Sequence, residues 1–210
     1  MRLLYSNGSP FARRVRVLLL EKQLAFEADV YDGLRPVDVI RGDNPLLQVP
    51  VLFDGELRLF GTGVICDYLY ATYPHMPGAA VPLASTVTRA GQHWEDRLTL
   101  DAIEVLTETI VNLRLLQADG PIRAGYVDRQ RARVGSVLDW LEGRVTPEGV
   151  WPGVFSVMDI GLVAALEFAE KRGMAEAAVG GRKRIAAMMG YWADRPSLVA
   201  TPVNVLAVGG

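Results

Sequence analysis

One cysteine in 210 residues, Cys66, excludes both an internal disulfide and a C-x-x-C redox pair. The two histidines, His75 and His93, stand far apart with no ligand-spaced partners, so the sequence offers no metal-binding pattern. Neither sign of charge dominates. Twenty-two basic residues against 24 acidic ones leave a net charge of −2, which calls for neither a nucleic-acid nor a membrane-surface partner. No apolar run approaches the roughly 20 residues of a membrane span, and Met1-Arg2-Leu3 leads into a predicted strand rather than a signal peptide. A cytoplasmic protein is expected, of a length that makes one or two compact domains.

What the chain does contain is punctuated hydrophobic patterning. Leu3-Leu4-Tyr5 and Phe26-Glu27-Ala28-Asp29-Val30 read as strands, and the stretch between them reads as a helix with Phe11, Val15, Leu18 and Leu19 on one stripe. Ser9 is a good N-cap for that helix, and Pro10 suits its first position, where a missing N–H costs nothing. Further on, Asn44-Pro45-Leu46-Leu47-Gln48-Val49-Pro50 runs into Val51-Leu52-Phe53, the pair Asp54-Gly55, and Leu57-Arg58-Leu59. Asp-Gly between apolar runs predicts a hairpin turn, with Pro50 at the mouth of its first strand. A cis Val49-Pro50 bond there would leave the Val49 N–H and C=O pointing outward, where an extended peptide can pair with them as an added strand.

Beyond Tyr73-Pro74-His75-Met76-Pro77-Gly78 and Pro82 the period changes to helical. Leu106, Ile110 and Leu113, then Val134, Leu138 and Leu141, then Leu162, Leu166 and Ala169 each form one apolar stripe, predicting several helices around a shared core. Gly120-Pro121 and Thr146-Pro147-Glu148-Gly149 read as connections. Ser156-Val157-Met158-Asp159 is a capping box, with Phe155 and Ile160 spaced as a hydrophobic staple, so Asp159 is expected to be structural. Cys66, beside Val64, Ile65, Tyr68 and Leu69, is expected to be a buried, inert thiol.

Four segments in order, SPFARRVRVLLLEKQLAFE from Ser9, NPLLQVPVL from Asn44, FSVMDIGL from Phe155 and WADRPSLVATP from Trp192, resemble elements of the cytosolic glutathione transferase family, in particular its bacterial serine-type members. The resemblance runs over most of the chain. It implies an α/β thioredoxin-like N-terminal domain, residues 1–77, that binds glutathione, joined to an all-α C-terminal helical bundle, residues 84–210. It also implies glutathione as co-substrate, no metal, a homodimer, and a small apolar electrophile as second substrate.

Such an enzyme must lower the pKa of a thiol from about 8.5, each unit corresponding to about 1.4 kcal/mol. A hydroxyl at the start of a helix helps to do this, and Ser9 occupies the place where related classes carry the activating serine or cysteine. Tyr5 is the rival hydroxyl. By resemblance, Val49 pairs with the cysteinyl backbone next to Pro50, Gln48 reaches the glycyl end, and Gly61-Thr62 receives the γ-glutamyl end. At that last place the family usually carries an acidic residue followed by serine. Thr62 and the helix N–H groups can hold the carboxylate, but Gly61 supplies no acid for the ammonium, a loss of roughly 1.5–3 kcal/mol. Trp94, Arg97, Leu98 and Asp101 fall on the helix that walls the electrophile pocket in the family. An acid crossing a dimer axis, Asp96 or Asp101, is a substitute for the missing one. The alternative reading is a non-catalytic binding protein of the same fold that has lost normal glutathione affinity through Gly61.

Overall fold

The computed structural model describes residues 1–31, 37–73, 89–118 and 124–204. Leu3, Leu4 and Tyr5 are buried in β1 (Arg2–Tyr5), which pairs in parallel with β2 (Glu27–Val30). Parallel neighbours need a crossover, and α1 (Pro10–Glu21) provides it. After α2 (Val37–Asp43), β3 (Val51–Asp54) and β4 (Leu57–Phe60) add antiparallel to the other side, giving the order β2-β1-β3-β4. The expected hairpin is present with its turn one residue later: Asp54 still pairs with Leu57, so Gly55 and Glu56 make the turn. Asp54 is held in the strand because its carboxylate accepts hydrogen bonds from the Tyr68 and Tyr73 hydroxyls of the following α3 segment (helix Thr62–Thr72).

Ser9 caps α1 as its sequence predicts, and Pro10 stands at the first turn. The helix is buried more widely than one stripe, because the sheet covers one side and the helical domain the other. Arg13 and Arg14, only 2% and 1% exposed, cross to that domain. Arg13 pairs with Glu167 at 2.8 Å and Arg14 with Glu104 at 2.6 Å. At the far end of α1, Glu21 takes Arg195 at 2.6 Å and the Ser197 hydroxyl. Cys66, inside α3, is buried, and burial pushes its thiol up to about 12, as expected of an inert cysteine.

The helical domain consists of α4 (His93–Ala118), α5 (Ala124–Glu142), α6 (Val157–Glu170), a short 3-10 turn (Ala175–Ala177), α7 (Lys183–Trp192) and α8 (Pro196–Val199). All three predicted apolar stripes are buried. The Ser156–Asp159 capping box starts α6, and Asp159 also accepts the Val150 N–H at 2.8 Å, which ties the preceding loop to the helix. Gly161 lets α4 and α6 meet: a Cβ there would stand 2.9 Å from Ile103 Cγ2. The domain change-over near residues 77–84 and the Gly120-Pro121 connection lie outside the described residues. No described helix is long and apolar enough to cross a membrane.

Candidate functional site

Two strand registers bring the predicted loops to one end of the sheet. Leu4 pairs with Val51 and Val51 with Phe60, so one further step sets Pro50 between Tyr5 and Gly61. The next step places Val49 level with Ser6 and Thr62. Because β1 runs out of the sheet there and β3 runs in, the Ser6–Ser9 turn, the Val49-Pro50 loop and the start of α3 share one rim.

The Val49-Pro50 bond is cis. Neither the N–H nor the C=O of Val49 is bonded to another described residue, which leaves a strand-like edge facing the rim. The loop is held from below by Asn44, 1% exposed, whose side-chain oxygen accepts the Leu46 N–H at 2.8 Å and whose amide donates to the Gln48 carbonyl at 2.7 Å. Sequence reading passed over Asn44 as a positioning residue. An Asn before Pro is nonetheless a legible turn signal, since its short side chain mimics a backbone turn. Gln48 itself is exposed, with its side chain free to reach a ligand.

Ser9 Oγ accepts the Ala12 N–H at 3.2 Å, and the Ser9 N–H donates to Ser6 O at 3.2 Å. A hydroxyl has one donor and two acceptor lone pairs, so capping leaves its proton available to an anion. Cap and thiolate donor are therefore compatible roles. Tyr5 is 6% exposed, its ring lying 4.7 Å from the Arg16 guanidinium, a packed position at the sheet exit.

At the third loop, Gly61 has φ +84 and ψ 119 and makes no side-chain cap. An L-residue in that conformation costs on the order of 1–3 kcal/mol, which Gly avoids. Ile65 is the first residue of α3 to donate within the helix, to Gly61 O at 3.0 Å, so the Thr62, Gly63 and Val64 N–H groups are left to a ligand or solvent. The side of the helix at Gly63 is open: a Cβ there would meet nothing within 4 Å. Thr62, 8% exposed, sits at the first turn.

No contact among the described residues joins Trp94, Arg97, Leu98 or Asp101 to this rim. All four are exposed on one face of α4, Trp94 at 74% and Leu98 at 58%, while Ile103, Leu106 and Ile110 face the core. Their neighbour is the outer face of α3, where Arg97 acts electrostatically on Asp67. Arg114, roughly 30 Å along α4 from Trp94 at 1.5 Å per residue, acts electrostatically on Arg172, which bonds the Gly8 carbonyl beside Ser9. Asp96 is unsuited to cross a dimer axis. It is 1% exposed and takes Arg89 through its backbone N–H and guanidinium and Trp151 through its indole N–H at 3.1 Å. Burial alone would raise its carboxyl, but those hydrogen bonds outweigh burial and hold it below the usual range.

Among the described residues no group of three His, Cys, Asp or Glu is placed to hold a metal ion. Arg172, which sequence reading did not single out, donates from Nη2 to the Gly8 carbonyl at 3.3 Å, one residue before Ser9.

Residues 3–78 match the family described as "Glutathione S-transferase, N-terminal domain". The "Stringent starvation protein A homolog" of Pasteurella multocida (strain Pm70) is 32% identical over 77 residues, 37% of this chain and 36% of that protein, so this match spans about a third of the relative's length. "Uncharacterized GST-like protein YibF" of Escherichia coli (strain K12) is 25% identical over 217 residues, covering 99% of this chain and 94% of that protein. Among solved structures, a glutathione S-transferase of Methylobacillus flagellatus KT with glutathione bound is 22% identical with a TM-score of 0.80, over 96% of this chain and 98% of that one. A glutathione transferase family member of Pseudomonas fluorescens Pf-5 with bound S-(propanoic acid)-glutathione is 25% identical with a TM-score of 0.76, over 98% and 100%.

Proposed function

We propose that this protein transfers glutathione to a small electrophile, with Ser9 stabilising the thiolate: residues 3–78 match the glutathione S-transferase N-terminal domain family, and the whole chain has the fold of a solved glutathione S-transferase. The observation that carries the reading is the convergence of three loops on one rim, with a capping hydroxyl whose proton is unspent.

In this reading glutathione lies extended along the rim. Its cysteinyl backbone pairs with Val49 next to Pro50, its glycyl end faces Gln48, and its γ-glutamyl carboxylate meets Thr62 and the free N–H groups after Gly61. Ser9 Oγ donates to the sulfur, and the positive end of α1 favours the anion further. The thiolate then attacks the electrophilic carbon, forming the S–C bond while a leaving group or an electron pair departs from that carbon. A homodimer and a cytoplasmic location belong to the same reading. For the dimer, Val64 on α3 and Trp94 and Leu98 on α4 are exposed apolar side chains on adjoining helices.

A second reading, a non-catalytic ligand-binding protein of this fold that has lost normal glutathione affinity, is favoured by Gly61, which supplies no carboxylate. Calorimetry with millimolar glutathione tests both. Wild type is expected to bind, and Gly61→Glu to bind about tenfold tighter, the equivalent of 1.4 kcal/mol. The strain of a side chain at φ +84 is present with and without ligand, so it lowers the melting temperature rather than the affinity. Binding by neither protein sinks the transferase reading and leaves the second. Binding with no thiolate formation and no conjugation leaves only the second.

A further inference from the structure

Ile103 on α4 and Gly161 on α6 lie against each other, and Asp96 near the start of α4 accepts the indole N–H of Trp151 just before α6, so α4 and α6 run the same way. Arg114 stands eleven residues beyond Ile103, and Arg172, just past the end of α6, eleven beyond Gly161. The two residues therefore stand at the same end of the domain, close enough for the Arg114 charge to act on Arg172. That end is the one touching the Ser9 turn, since Arg172 Nη2 donates to Gly8 O at 3.3 Å and a Cβ on Gly8 would lie 3.3 Å from the same nitrogen.

Both arginines are half-buried, and no described carboxylate lies within ion-pair distance of either. Elsewhere in the domain contact the pattern differs. Arg13, Arg14 and Arg195 each carry a glutamate within 2.8 Å, and Arg16 lies over the Tyr5 ring. Arg172 spends one N–H on Gly8 O and one on Phe168 O, and stacks 3.7 Å from the Phe168 ring, which fixes its plane while leaving three of its five N–H groups. Burial first, and then the charge of Arg114, lower the pKa of Arg172, the effect expected where two cations share a site without a counter-ion. An oriented guanidinium beside a second one matches the planar, two-oxygen geometry of a carboxylate.

We propose that Arg114 and Arg172 form a carboxylate-binding subsite next to the Ser9 turn, so that the second substrate is a small organic acid rather than a wholly apolar electrophile. This rests on the transferase reading above, because it places the acid beside a glutathione sulfur held near Ser9. It replaces the apolar wall expected around Trp94 and Leu98 with a cationic one at the opposite end of α4.

The test uses two S-substituted glutathiones that differ only in the group on sulfur, a 2-carboxyethyl chain and its uncharged 2-carboxamidoethyl isostere, titrated calorimetrically into the full chain. Wild type should bind the acid at least tenfold tighter than the amide. In Arg114→Gln that preference should fall to within about twofold of unity, and Arg114→Lys should restore part of it. Since each preference is a ratio within one protein, general loss of affinity or fold in a variant cancels. Equal binding of acid and amide by wild type overturns the subsite and leaves the glutathione reading standing, as does a preference that Arg114→Gln leaves intact. Failure to bind glutathione and both conjugates overturns the transferase reading and the subsite with it.

Discussion

At the scale of single residues, Ser9 separates two roles that one atom performs together. Its oxygen accepts the Ala12 N–H as the cap of α1, and its proton is the proposed donor to sulfur. Ser9→Ala removes both, with about 1 kcal/mol of stability lost through the cap alone. Ser9→Gly keeps most of the cap's stability, losing only about a few tenths of a kcal/mol, and carries no side-chain donor. Both variants are expected to raise the pKa of bound glutathione by about one unit or more, because a hydrogen bond to a charged acceptor is worth about 1.5–3 kcal/mol. Conjugation at neutral pH should fall more than tenfold in both. Thiolate absorbance of the bound peptide across a pH series measures the shift. Activity retained in Ser9→Gly would assign the donor elsewhere, to Tyr5 or to the backbone of the Ser6–Gly8 turn.

At the scale of elements, the start of α4 is fixed by one carboxylate. Asp96 gathers Arg89 and the Trp151 indole, linking the helix to the loop before α6. Its folded pKa lies below its ordinary value, so the unfolded chain binds the proton more readily; the resulting stability is present above about pH 4 and is lost as pH falls through the folded value. Asp96→Asn should cost roughly 1–3 kcal/mol near neutrality, and its deficit against wild type should shrink as the solution is acidified from about pH 5 to 3, read by thermal melts. A deficit that stays constant with pH would show that packing, not charge, is what Asp96 contributes. None of this was visible in the sequence, where Asp96 is one acid among several on a helical segment. The strands, the α1 cap, the Pro50 loop and the Ser156 box were legible, because each is set by neighbours within a few positions. The hairpin turn missed by one residue because Asp54 is claimed by Tyr68 and Tyr73, a contact made through the fold. The same distance hid Arg114 and Arg172, whose partnership depends on two helices crossing at Gly161. Trp94 and Leu98 were legible as an apolar stripe, but periodicity cannot say which surface a stripe meets.

For the whole molecule, the proposed dimer draws on the exposed apolar side chains Val64, Trp94 and Leu98. Sedimentation at micromolar concentration should give twice the 23.0 kDa of one chain, and Leu98→Glu should shift it toward the single-chain mass by burying a charge at the contact. A 23.0 kDa species in wild type would defeat the dimer. Inside one copy, the two halves are joined by charge as well as by apolar packing. Arg13 and Arg14 belong to the helix beside the proposed glutathione rim, while Glu167 and Glu104 belong to α6 and α4. In a chimera, a helical domain taken from another lineage and lacking acids at those two places would leave a pair of guanidiniums stranded in the seam, at a cost of several kcal/mol. The halves are thus heritable only together: recombination across the seam is penalised, and a change at Arg13 or Arg14 on one side selects for a matching change at Glu167 or Glu104 on the other.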